Sequence, residues 1–372
     1  MNHINVLMVS RATLFSHPGG DTVQIKKTAE YLNKLKGVRV EIKTVNEKID
    51  YSEYQLLHLF NISRPADLLG VIKKSKLPYV ISTVFVDFTE AEKNHHNKLR
   101  LLLNRLFSSN QIEYLKTIAR IIKRQDILTD KSYLLKGQRK AVIEVLTNAK
   151  MLLPNSMSEY NRLKNAYGCE QKFTVIPNAI DVSTFRINEI FDDSFDTFEN
   201  AIISVGQITP VKNQLSLIKA LKNSKYNLFI IGDPSSNAKN YFNLCKEEAT
   251  PNIKFLPYVE QEDLAKIYQR AKVHVLSSWF ETTGLVSLEA AYMGCNIVIT
   301  DRGDQKEYFK DYAFYCDPEK PATILQAVEK AYEADFQEGL KIEIDKKYTW
   351  SITAKKTLEA YKGALTSFNK KA

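Results

Sequence analysis

Cysteine is scarce in this sequence: Cys169, Cys245, Cys295 and Cys316 are the only four in 372 residues. No Cys-x-x-Cys pair and no Cys/His metal spacing occurs among them. A disulfide-dense secreted scaffold is excluded, a structural zinc site is disfavoured, and four buried, reduced thiols are the expectation. No run approaches the ~18 apolar residues of a membrane span. Met1–Ser10 holds no apolar stretch behind a basic segment, which argues against a signal peptide. The Gly-x-Gly-x-x-Gly fingerprint of nicotinamide-dinucleotide binding is missing. So are internal repeats and low-complexity tracts.

What is present is ordinary in amount and unusual in placement. Hydrophobic residues make up 44% and charged residues 26%, a soluble globular composition, and 372 residues suggest two domains. The net charge is +9. Lys93–Lys150 holds 13 basic and four acidic residues, so this stretch carries the whole excess and the remaining chain is neutral. Charge of this kind speaks to acidic partners rather than to fold.

Short β-branched runs alternate with helical patterns. Strands are expected at Ile4–Val9, Val38–Thr44, Leu56–Phe60, Tyr79–Val84, Met151–Leu153 and Phe173–Ile176. Residues 188–199 carry five acids and little periodicity and read as a linker. Strands then resume at Ala201–Val205, Leu228–Ile231, Ile253–Leu256, Val273–Leu276 and Asn296–Thr300. The expected class is α/β, with two Rossmann-like doubly wound domains facing across a cleft. The domains are 1–187, with a basic helical insert at about 93–150, and 200–347; an amphipathic helix follows at 348–372.

Ser277–Phe309 is the richest segment. A buried strand runs into a loop, then a helix that starts near Gly284 and carries Glu289. Glu281 stands eight residues before Glu289. Gly284 lets a ligand approach the backbone, and free N–H groups at a helix start suit a phosphate. Glu289 is placed to accept hydrogen bonds from a ribose diol, and Glu281 to meet the reacting group.

This Glu-x7-Glu spacing resembles that of retaining glycosyltransferases of the GT-B fold, in the large family four (group 1). Val175–Asp181 is similar to the Ile-Pro-Asn-Gly-hydrophobic-Asp turn of that family. Ser204–Asn213 resembles its Gly-Arg-Leu-x3-Lys loop, and Gly303–Glu307 its Gly-x3-Glu loop. Trp350 and the terminal helix resemble the segment that crosses back to the first domain. The resemblance implies a nucleoside diphosphate-sugar donor, no other cofactor and no metal; no Asp-x-Asp triplet is present. It implies catalytic roles for Glu281, Lys212 and Asp87. Donor contacts would come from Gly19, Gly20, Gln207, Lys212, Glu281, Thr283, Gly284, Leu285 and Glu289. Lys212 would neutralise the departing diphosphate.

Three departures stand out. Gln207 replaces the usual Arg, with Arg302 a candidate to compensate. Ala179 replaces the Gly of the turn. No His follows the fourth strand, where Asp87 stands instead. His58 and Asn61, at the end of the third strand, are acceptor candidates. Arg120, Lys123 and Arg124 are candidates for an acidic or lipid-linked acceptor or an anionic membrane, and nucleic acid is disfavoured for want of a recognition module. The resulting expectation is sugar transfer to a saccharide or lipid-linked acceptor, in bacterial surface polysaccharide assembly at the inner face of the cytoplasmic membrane. The alternatives are a nucleotide-sugar epimerase of the same fold and an inactive nucleotide-sugar-binding scaffold subunit.

Overall fold

Strand and helix alternate from Ile4 onward, and most strands are apolar and buried on both faces, as in a parallel sheet covered by helices; Val38–Thr44, which exposes Arg39 and Glu41, is an exception. The computed structural model describes residues 3–87, 89–90, 106–123, 126–186 and 192–369. They divide into two units, one within Met1–Phe85, Asn97–Asn178 and Trp350–Ala372, the other within Val86–His96 and Ala179–Thr349.

The first unit is built on five strands: β1 (Ile4–Ser10), β2 (Val38–Thr44), β3 (Leu56–Phe60), β4 (Tyr79–Ser82) and β5 (Met151–Leu152). They pair in parallel in the order β2-β1-β3-β4-β5, so the winding reverses between β1 and β3. The helices are α1 (Gly20–Asn33), α2 (Pro65–Ser75), α3 (Ser109–Ile122), α4 (Ser132–Asn148) and α5 (Met157–Tyr167). The terminal helix, Trp350–Asn369, belongs to the same unit and buries Ala354, Tyr361 and Ala364 in the core beside Val6, Ile25 and Leu32.

Two expectations change here. The basic stretch is not a separate insert throughout. Ala141, Val142, Val145 and Leu146 of α4 recur at helical spacing and join Leu57, Leu69 and Ile81 in the core. Phe173–Ile176 forms no strand. A bridge between Leu152 and Phe173 remains, with Leu152 N–H donating to Lys172 O at 2.8 Å, Thr174 N–H to Leu152 O at 3.0 Å and Ile176 N–H to Pro154 O at 2.8 Å. Pro154 has no N–H with which to extend the ladder.

The second unit holds six parallel strands: β6 (Ile202–Val205), β7 (Leu228–Ile231), β8 (Ile253–Leu256), β9 (Val273–Leu276), β10 (Asn296–Thr300) and β11 (Ala313–Cys316). Their order is β8-β7-β6-β9-β10-β11, which counted within the unit is 3-2-1-4-5-6, the dinucleotide-fold order. The winding reverses between β6 and β9. Around the sheet lie α6 (Gln214–Leu221), α7 (Lys239–Glu248), α8 (Gln261–Arg270), α9 (Leu285–Tyr292), α10 (Gln305–Phe309), α11 (Pro321–Glu333) and α12 (Glu338–Lys347).

The expected linker is partly core. Asp193–Phe198 is a 3₁₀ helix, Phe198 is buried against Phe229, and Phe195 packs on the same cluster. Residues 188–191 lie outside the described residues. The acids of this stretch also have a local use: Arg270 pairs with Asp196 at 2.8 Å and Glu199 at 3.3 Å.

Candidate functional site

In an open parallel sheet, ligands bind beyond the carboxyl ends of the strands where the winding reverses. In the second unit that point lies past β6 and β9. The chain leaves β6 through Gly206 and makes one 3₁₀ turn, Pro210–Lys212, before Asn213 in the left-handed conformation (φ 57°) opens α6. Asn213 fastens this loop. Its Nδ2 donates to Ser277 O at 3.1 Å and to Pro318 O at 2.8 Å. Trp279 N–H donates to Val211 O at 2.9 Å. The loop after β6 is thereby held on the loop after β9, and Lys212 Nζ meets Glu281 Oε1 in a direct ion pair.

Glu281 is held from its other side. Its backbone pairs with Gly303, and its carbonyl accepts from Asp304 N–H at 2.8 Å. A Cβ on Gly303 would stand 2.1 Å from that carbonyl oxygen, and φ is +85°, so only glycine fits. Gly284 (φ 70°) caps α9, and its carbonyl takes the N–H groups of Ser287 and Leu288. The N–H groups of Gly284, Leu285 and Val286 meet no acceptor among the described residues. With the helix dipole behind them they form an anion-binding end. Thr283 is buried beside them.

Glu289 lies on the next turn, 8% exposed. Burial pushes its carboxyl up to about 7. His274, in β9, is wholly buried; burial first, then the charge of Lys212, push its imidazole down to about 3. Ser278 Oγ, Ser287 Oγ and both amide atoms of Gln305 are buried with no hydrogen-bond partner among the described residues. Gln305 Nε2 sits 2.7 Å from where a Gly284 Cβ would be. A buried amide left unpaired costs ~1–3 kcal/mol. Gln305→Leu, of similar volume, should therefore raise the unfolding free energy by ~1–3 kcal/mol in a denaturant titration. A loss of stability in that variant would contradict this account of the amide.

The remaining predicted residues fall as follows. Gln207 is exposed, and its backbone carbonyl accepts from Gln214 Nε2 at 3.1 Å. Arg302 faces Glu90 at 3.1 Å and Asp317 at 3.8 Å, so its charge is already met and it is a poor substitute for the arginine that Gln207 displaces. Asp87 is exposed and accepts Thr89 N–H at 2.9 Å, a capping role at the next helical turn.

In the first unit, Arg11 organises the glycine loop. It bonds Asp21 through two nitrogens at 2.8 and 3.0 Å, and also Thr13 and His17 O. All five of its donors are used, which makes it a staple rather than a ligand contact. Gly19 N–H is taken by Thr22 Oγ1 at 3.0 Å, so the glycine pair offers fewer free amides than expected. Gly20 has open space above its Cα.

His58 is not an acceptor contact. It is buried, with Nδ1 2.7 Å from Tyr361 Oη and Nε2 2.9 Å from Ser82 Oγ, so both ring nitrogens are used. Burial pushes its imidazole down to about 3. Asn61 (φ 68°) lines a small cavity past β1 and β3 with Ser10, Arg11, Arg64 and Asp67. Burial pushes the Asp67 carboxyl up to about 7. Arg120 turns inward and bonds Asp126 at 2.6 Å, a carboxylate that Arg64 also reaches at 2.8 Å. Lys123 is exposed, and Arg124 lies outside the described residues.

Asn213, Ser277, Arg11 and Gln305 were not anticipated as site residues. Asn213 stands next to Lys212 in the loop already singled out. Gln305 lies inside the Gly303–Glu307 loop. Nothing in the sequence signals that its amide is left unpaired.

A free helix start, a lysine and two carboxylates thus meet at the switch point, a set whose chemistry suits anionic, hydroxyl-rich ligands. Residues 186–346 match the family model described as glycosyl transferases group 1. An uncharacterised glycosyltransferase of Methanocaldococcus jannaschii is 27% identical over 241 residues, which is 60% of each chain. A D-inositol 3-phosphate glycosyltransferase of Pseudarthrobacter chlorophenolicus is 27% identical over 290 residues, 71% of this chain and 68% of that one. Sucrose-phosphate synthase of Thermosynechococcus elongatus superposes with a TM-score of 0.75 at 14% identity, covering 98% of this chain and all of that one. Anabaena HepE, in complex with UDP and glucose, gives 0.71 at 14% identity over 97% of this chain. Both likenesses establish the fold, GT-B, with its two Rossmann-like parallel-sheet units.

Proposed function

We propose that this chain transfers a sugar, with retention and without a metal, from a nucleoside diphosphate-sugar to a saccharide or lipid-linked acceptor. The setting is bacterial surface polysaccharide synthesis, with the protein peripheral on the inner face of the cytoplasmic membrane. The observation that carries the proposal is the Lys212–Glu281 pair set beside the unclaimed amides of α9. The UDP and glucose bound by HepE and the name of the inositol-phosphate relative support it.

The diphosphate would lie on the start of α9, and Glu289 would accept the ribose hydroxyls. As the bond between the sugar's C1 and the diphosphate oxygen breaks, Lys212 meets the charge that develops on that oxygen. Glu281 holds Lys212 and faces the sugar. The acceptor oxygen bonds to C1 on the face the diphosphate leaves, and its proton passes to the departing phosphate oxygen. With Gln207 neutral, Lys212 is the main cation available to the leaving group.

A thermal-shift screen with uridine and guanosine diphosphates and their sugars tests this. At least one should raise Tm, since a ligand that binds only the folded state stabilises it. Failure of all of them would sink the donor assignment. Product analysis then separates glycosyl transfer from epimerisation of the donor sugar.

A further inference from the structure

Seven of the twelve exposed large apolar side chains among the described residues lie between Leu106 and Leu135. Their placement on α3 is unusual. The inward face of this helix carries Thr117, which is buried, Tyr114, whose ring lies tilted against that of Tyr133, and Arg120, paired with Asp126. Past Ser109 in the first turn, the exposed positions are Gln111, Leu115, Ala119 and Ile122, one stripe at helical spacing. An amphipathic helix of a water-soluble protein normally turns its apolar stripe inward; here Leu115 is 50% and Ile122 76% exposed.

The start of α4 continues the surface. Leu134 O accepts from Tyr114 Oη at 3.0 Å, which sets this turn beside α3, and its neighbour Leu135 is 92% exposed. Lys123, at the end of α3, and Lys131, before α4, are exposed and have no acidic partner among the described residues. Other cations of the stretch are already spent, Lys116 on Glu113 and Lys136 on Glu144. The surface is therefore apolar first and cationic at its margin. No helix of the described residues is long and apolar enough to cross a membrane.

We infer that the outer face of α3 and the first turn of α4 dock on an anionic lipid bilayer, with Leu115, Ile122 and Leu135 entering the headgroup–acyl boundary and Lys123 and Lys131 meeting acidic headgroups. Apolar residues on one stripe with lysines beside it are the makeup of an interfacial helix. The sign of the charge selects the partner: the whole +9 of the chain originates between Lys93 and Lys150. The inference deepens the peripheral part of the proposed function and does not depend on the donor site. It replaces Arg120 by the exposed apolar stripe as the main determinant.

The test is co-sedimentation of the full chain with phosphatidylcholine vesicles, with and without phosphatidylglycerol. The protein should partition onto the anionic vesicles and only weakly onto the neutral ones. Leu115→Glu/Ile122→Glu should lower that partition at least tenfold while nucleotide affinity and Tm stay unchanged. Lys123→Glu/Lys131→Glu should lower it by about fivefold or more per lysine on anionic vesicles only. Leu135→Ser, at a site that carries no core packing, gives the same reading should the double glutamate variant fold poorly. Equal partition of wild type onto both vesicle types would overturn the inference. So would undiminished binding by the apolar variants. A wild-type dimer in light scattering that becomes monomeric in those variants, with no vesicle binding, would assign the face to a second copy instead.

Discussion

Lys212→Ala should lower kcat by about 10²–10³-fold, the scale on which removing one group that stabilises developing charge is felt in an enzyme site. The argument is electrostatic. Lys212 is held by the bonds of Asn213 and Trp279 at the point where β6 and β9 part, and among the described residues its one carboxylate partner is Glu281. Its loss leaves Glu281 unneutralised next to the place assigned to the diphosphate, so one substitution removes an attraction and exposes a repulsion. Both ion-pair partners are partly accessible to solvent, so the folded state should lose no more than ~1 kcal/mol. Steady-state turnover with donor in excess, beside a thermal melt, separates the two effects. A variant that melts normally and turns over at the wild-type rate would remove Lys212 from the chemistry.

The second large effect concerns Glu289. Its carboxyl is buried and raised to about 7 from an ordinary 4.5. Between those values the folded protein keeps a proton that the unfolded chain has released. This group's contribution to stability is therefore complete below pH 4.5 and is lost as pH rises towards 7. The loss is roughly 3 kcal/mol at 1.36 kcal/mol per pH unit, an upper figure for a real interior. Glu289→Gln removes the slope, so the variant should be more stable than wild type at pH 8 and nearly equal at pH 4.5, read as the difference between denaturant titrations. The same variant should bind nucleoside diphosphate about 10–100-fold more weakly, because hydroxyl bonds to a carboxylate are worth ~1.5–3 kcal/mol. A parallel pH dependence in both proteins would mean the carboxyl is not the titrating group. Unchanged nucleotide affinity would remove it from the ribose.

The local structure of the candidate site, a strand, a glycine and a helix, was legible in the sequence because its signals are local. A buried strand, a glycine and a helix follow within Val273–Tyr292, and the glutamate spacing is counted directly. The parts that were not legible depend on partners far away in the chain. His58 reads as a strand-end histidine until Tyr361, 303 residues on, takes its Nδ1. Arg120 reads as a free cation until Asp126 folds back on it. Charge is counted from sequence, but pairing is not. The acidic run near Asp192 reads as a linker because its acids outnumber Phe195 and Phe198, although the two rings decide where it packs. Gln305 is the opposite case: a polar residue in a position where packing leaves its amide without a partner.

The terminal helix sets an order of events during synthesis. Residues Trp350–Asn369 complete the first unit, with Tyr361 in its core and Thr353 Oγ1 bonded to Pro177 O at 2.8 Å. The whole of Ala179–Thr349 must be translated before that helix leaves the ribosome. At about 5–20 residues per second this is a delay of roughly ten seconds or more. Throughout it, α1 and β4 lack their covering helix and expose Ile25, Leu32 and Val80. The second unit is continuous from Ala179 to Thr349 apart from a short early segment, and has the means to settle first. The half of the protein made first is then the half finished last, and its nascent form is the one that should engage chaperones.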